Sequence, residues 1–110
     1  MEIVYANKKI QKVCDSLATM RREFGNRRAQ ALEARIQQLE EATCLEDLRH
    51  VAGGWHELGQ NRKGQIAANV GHPYRLIVEP VDDPPPTKPD GGLDWSRITA
   101  VQIVEVVDYH

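Results

Sequence analysis

The hydrophobic period of this chain changes once, and the change falls at Gly53-Gly54. Before that point apolar residues recur at helical spacings of three and four. After it they come in short aliphatic, β-branched runs bounded by Gly, Pro, Asn and Asp, as strands do. Helices first and strands second make an α+β arrangement, with the helices packed on one face of a mostly antiparallel sheet. The 110 residues suit a single domain, residues 1–110, large enough to bury its own core.

In the first half, Glu2 to Ala6 reads as a short strand and Asn7 suits the cap of a helix. Ile10, Val13, Cys14, Leu17, Met20 and Phe24 keep one face, which predicts a single helix to about Phe24. Gly25 fits the residue past its end and Asn26 the cap of a second helix, whose apolar stripe is Ala29, Leu32, Ile36 and Leu39. So short a connection makes the two helices an antiparallel hairpin. Thr43-Cys44-Leu45-Glu46 has the capping-box pattern and predicts one more helical turn through Leu48. Cys14 and Cys44 are too few for a disulfide scaffold, and on apolar helical faces they read as buried thiols.

In the second half, Trp55 to Leu58 can form a strand, and Gly59 to Gly64 is a polar loop. Gln65 to Val70 and Tyr74 to Val81 read as a hairpin that turns at Gly71-His72-Pro73. Ile98 to Asp108 is a near-continuous β-branched run, the pattern of a strand covered on both faces. Five of the six prolines fall between residues 80 and 89. That stretch cannot enter a sheet interior, and residues 82–94 read as an inserted loop, extended or mobile. The hairpin of helices covers one sheet face and leaves the other open, a plausible surface for a large ligand.

Charge and composition narrow the function classes. The formal net charge of −2 argues against whole-surface capture of nucleic acid and leaves room for a local basic patch. Basic residues crowd the first 28 positions, with Arg62, Lys63 and Arg75 in the middle, while acids gather at 33–47 and 79–94. No basic stretch leads into an apolar run at the start, and no apolar run approaches a bilayer span, so a reducing cytoplasm is the expected setting, away from membranes. There is no Cys-x-x-Cys, no histidine pair at helical spacing and no Gly-rich phosphate loop before a helix. Neither a metal nor another cofactor is expected.

Three segments carry a resemblance: Trp55-His56-Glu57-Leu58 with Asn61-Arg62-Lys63-Gly64, then Gly71-His72-Pro73-Tyr74-Arg75-Leu76-Ile77-Val78, then Val106-Val107-Asp108-Tyr109-His110. In this order and spacing the chain resembles the HigB toxins of the RelE/ParE superfamily, across nearly its whole length apart from the proline-rich insertion. The resemblance implies a RelE-like fold and ribosome-dependent cleavage of messenger RNA, as the toxin of a type II toxin–antitoxin system. It also implies a cognate helix-turn-helix antitoxin of the HigA kind, the toxin being a monomer within a hetero-oligomeric complex. Residue by residue, His56 matches the strand-end histidine of that family and Arg75 its catalytic arginine. Asp108, Tyr109 and His110 match its terminal group. The family lysine three residues after His56 is replaced here by Gly59, which removes one expected phosphate contact; Arg62 or Lys63 is the candidate to supply that charge to the RNA.

These residue types suit metal-free RNA cleavage. The 2′-hydroxyl attacks the adjacent phosphorus, a base takes its proton, a cation steadies the phosphate oxygens and an acid protonates the departing 5′-oxygen. Histidine titrates nearest to neutrality, so His56 and His110 are the proton-transfer candidates, with acid and base unassigned. Arginine holds a phosphate through paired planar donors, which suits Arg75. Tyr109 can stack on a base or bond a phosphate, and Asp108 can orient a neighbour. A non-enzymatic alternative uses the same scaffold: a ParE-like inhibitor of DNA gyrase, or an antitoxin-binding co-repressor. The charge balance and Gly59 favour it, whereas Arg75 with Tyr109-His110 favours the nuclease.

Overall fold

A computed structural model describes residues 1–108. Strand β1, Glu2–Tyr5, leads into helix α1, Lys8–Val13. Helices α2, Leu17–Phe24, and α3, Asn26–Glu41, follow. After a 3-10 segment at Leu45–His50 come strands β2, His56–Glu57, β3, Ile66–Asn69, β4, Tyr74–Pro80, and β5, Ala100–Asp108. They form a sheet of order β1-β5-β4-β3-β2, in which β1 runs parallel to β5 and every other pairing is antiparallel. The α+β class and the mostly antiparallel sheet are as the sequence predicts.

Local chemistry moves several boundaries. Asn7 caps α1 as expected, its side chain accepting from Ile10 N–H at 2.9 Å. The single helix to Phe24 is instead two, broken at Cys14–Ser16. Ser16 and Thr19 form a reciprocal capping box, and the Thr19 hydroxyl also donates to the Val13 carbonyl at 2.8 Å. Together these satisfy the polar groups that a break exposes. Gly25, at φ 85°, takes the cap position of α3, and Asn26 instead accepts from Arg21 Nε at 2.8 Å. The Thr43 capping box does not form. Asp47 takes the Thr43 N–H at 2.9 Å, Glu46 pairs with Arg49, and the segment winds as 3-10 helix to His50. Cys44 therefore sits at that segment's start, half-buried, and is no helical-face residue. Cys14 is buried as expected, and burial raises its thiol pKa to about 11.

Helix α3 lays Ala29, Leu32, Ile36 and Leu39 against one sheet face, where they meet Ile66, Ala68, Leu76, Val78, Val101 and Ile103. Each fully buried Leu or Ile contributes roughly 1.5–3 kcal/mol relative to exposure. Strand β5 is an interior strand, between β1 and β4, but only its helix-side residues Val101 and Ile103 are fully buried. The expected covering of both its faces is thus incomplete: helices shield one, and the other is roofed by side chains alone. The proline-rich stretch is no free insertion. Thr87 bridges Leu93, and Leu93 and Trp95 enter the core. The Glu57 carboxylate fastens both, accepting from Leu93 N–H at 3.2 Å and Trp95 Nε1–H at 2.8 Å. Among the described residues no helix is long and apolar enough to cross a membrane.

Candidate nucleic-acid interface

Strand alternation decides which side chains reach the helix-free face. On β4, Tyr74, Leu76 and Val78 join the helix-side core, so Arg75, Ile77 and Glu79 point the other way. The register then builds three rows on that face. Arg75 lies between Asn69 of β3 and Val107 of β5. In the next row His56, Ala67, Ile77 and Glu105 stand on successive strands. In the third, the Glu79 carboxylate accepts from the Gln102 amide at 2.9 Å and the Gln65 amide at 3.3 Å.

The face is not bare. Leu58, Ala67 and Ile77 form a second buried cluster, flanked by Val104 and Val107. A β-bulge where Ile77 gives way to Val78 lets β5 spend one extra residue here. Arg62 leaves the loop before β3 and crosses to Glu105 of β5 at 2.9 Å, bonding Gln65 at 2.9 Å on the way.

His56 is exposed, and its Nδ1 lies 2.8 Å from the Gly54 carbonyl oxygen. A carbonyl only accepts, so Nδ1 donates, and in the neutral form of the ring the lone pair is left on Nε2. The Gly53-Gly54 break does more than end the helical half. Gly53 accepts from Asn69 N–H at 2.8 Å and sits at φ 121°, a backbone conformation that favours glycine. Arg75 is half-buried, its Nη1 donating to the Tyr74 carbonyl at 3.3 Å. Among the described residues no carboxylate lies within ion-pair distance of it. His56 and Arg75 stand two strands and one row apart, about 12 Å between Cα atoms from ordinary sheet spacings. Two long side chains leaning together can hold one phosphate between them across that gap.

Asp108 is exposed and pairs with Tyr74, so alternation sends its side chain to the helix side of the sheet and the structure does not bring it together with Arg75. Tyr109 and His110 lie outside the described residues. Arg62 is on the face but engaged with Glu105. Lys63 borders a different cleft of about 390 Å³, at the Glu79 end and beside Asp82 and Asp83, so it does not join Arg75. Glu105 is the residue that the sequence reading missed. Its signal was available: it is the only charged residue in the β-branched run from Ile98 to Val107. Among the described residues no group of three or more His, Cys, Asp or Glu is placed to hold a metal ion. No family model matches the chain, and neither the curated proteins nor the solved structures contain a match to it.

Proposed function

We propose that this chain has a RelE-like fold and is the toxin of a type II toxin–antitoxin pair, a ribosome-dependent endoribonuclease that cuts messenger RNA and stops translation. The observation that carries the reading is the sharing of one sheet face by Arg75 and His56. The order of one strand, a helical hairpin and four further strands supports the fold assignment.

In the proposed reaction, His56 Nε2 takes the proton of the 2′-hydroxyl, and the freed oxygen bonds to the adjacent phosphorus. The bond from phosphorus to the 5′-oxygen breaks as His110 gives that oxygen a proton. The products are a 2′,3′-cyclic phosphate and a 5′-hydroxyl. The hydrogen bond to Gly54 supports the base role because it leaves Nε2 as the accepting nitrogen. Arg75 balances the charge that builds on the phosphate oxygens. Tyr109 positions the RNA and Asp108 orients a neighbour. A helix-turn-helix antitoxin of the HigA kind holds the toxin in check, and the cytoplasm is its place of action.

One observation favours the non-enzymatic reading, in which the chain inhibits gyrase or serves as the antitoxin's co-repressor. Arg62, a candidate for the charge missing at Gly59, is already paired with Glu105. Purified protein added to a translating extract separates the two. Primer extension is expected to show messenger cuts that need ribosomes. Intact messenger with loss of DNA supercoiling would favour the gyrase reading.

A further inference from the structure

At the Arg75 end of the sheet, the α2–α3 turn and the β3–β4 turn face each other across a cleft of about 390 Å³. Arg27, Arg28, Gly71 and His72 line it, with Phe24 at its side. The two turns are held together closely. A Cβ on Gly71, at φ 98°, would meet Arg28 Cγ at 2.9 Å. The Arg28 guanidinium lies 4.5 Å over the Tyr74 ring, whose other contact is Phe24 at 6.1 Å between ring centroids. Arg21 is tied across the same turn through Asn26. Charge here runs against the chain as a whole. Arg21, Arg22, Arg27 and Arg28 gather within eight residues, with Glu23 the single acid among them, and the first turn of α3 has no acidic residue.

Tyr74 links this cleft to the face described above, because it precedes Arg75 on β4 and alternation sends the two side chains to opposite sides of the sheet. A strand whose scissile phosphate lies at Arg75 has only to round the end of β4 to reach Arg27 and Arg28. We infer that the cleft is a second binding site, taking the phosphate backbone of single-stranded RNA that extends beyond the cleavage point. This rests on the proposed nuclease reading and adds to it a length requirement: short RNA fills the Arg75 site alone, and longer RNA gains the cleft. A guanidinium held over an aromatic ring, with exposed Arg27 beside it, suits a sugar–phosphate chain, and the affinity must fall with salt.

The test is direct binding, read by fluorescence anisotropy, with labelled 2′-O-methyl RNA that lacks the attacking hydroxyl. Oligonucleotides of about four and about twelve nucleotides are compared, lengths on either side of a typical single-strand site. Arg27 is exposed, so Arg27→Glu is expected to leave the fold intact, which an unchanged thermal unfolding midpoint would check. Arg27→Glu is expected to weaken the longer RNA about tenfold, to leave the shorter one unchanged, and to flatten the dependence of log affinity on log salt by about 0.7 or more. Arg27→Lys is expected to restore most of the affinity. Equal affinity of wild type and Arg27→Glu for the longer RNA overturns the inference. So does tighter Arg27-dependent binding of an acidic peptide than of RNA. Because the probe cannot be cut, absence of messenger cleavage with length-dependent binding intact would sink the nuclease reading and leave this site standing.

Discussion

The two faces of the sheet are built on the same strands and are covered in different ways. On one, α3 places Leu32 and Leu39, both fully buried, over Leu76, Val78 and Ile103. On the other, Ile77 and Ala67 are just as completely buried, yet among the described residues no α-helix joins their cluster. Val104 and Val107 pack against them, and Glu105, in the same row as Ile77, holds the head of Arg62. The first face is a core: its interactions are apolar, numerous and indifferent to solvent. The second is a thin apolar strip under polar side chains that can exchange protein partners for ligand atoms. Stability is therefore expected to concentrate on the helix face, and recognition on the other.

The largest expected effect breaks the helix face. Leu32→Ala should cost about 2–5 kcal/mol, read as a lower midpoint in urea unfolding, because α3 cannot collapse into the gap without moving off the sheet. A loss well under 1 kcal/mol would mean that the two faces share the core more evenly. Glu105→Ala on the second face should cost much less, about 0.5–1 kcal/mol, since both members of its ion pair are partly exposed. The same change releases Arg62 toward ligand and should tighten RNA binding. Weaker RNA binding would show that Glu105 positions Arg62 for RNA instead of competing for it.

Gly59→Lys should sharpen the contrast further. Gly59 has φ −117°, which any residue adopts, and a Cβ there meets nothing within 4 Å. A lysine at that position should leave the unfolding midpoint unchanged and raise RNA affinity a few-fold through one added phosphate contact. No change in affinity would place the RNA path elsewhere.

The smallest effect concerns the thiols. Cys14 is buried under the helices with its pKa raised to about 11 from 9.0, whereas Cys44 is half-buried. Below pH 9 the thiol is protonated in both states and contributes no pH dependence. Between about 9 and 11 the unfolded chain ionises and the folded one does not, so stability falls as pH rises through that window. Alkylation of native protein near pH 8 should label Cys44 well before Cys14. Equal labelling would contradict the burial of Cys14.

Much of this contrast was legible in the chain. The change of period at Gly53-Gly54 separated helices from strands, the stripe from Ala29 to Leu39 marked the covering helix, and the hairpin turn at Gly71-His72-Pro73 fixed the register that sends Arg75 and Ile77 to one face. What stayed hidden depends on contacts between residues far apart. Ser16 and Thr19 break the first helix because Thr19 fills the Glu position of a capping box, an uncommon choice. The proline-rich stretch reads as a loose insertion until Glu57, thirty-six residues before Leu93, is seen to fasten it. Arg62 reads as free charge until Glu105, forty-three residues on, is seen to hold it. Composition shows none of these pairings.

The division of labour between the faces is tested most directly by ribosome-dependent messenger cleavage in a translating extract, measured for Arg75→Ala and His110→Ala beside the unaltered chain. Both variants are predicted to keep the wild-type unfolding free energy within about 0.5 kcal/mol and to lose cleavage by a factor on the order of 100 or more. Full cleavage by both variants would contradict the assignment of the second face as the site.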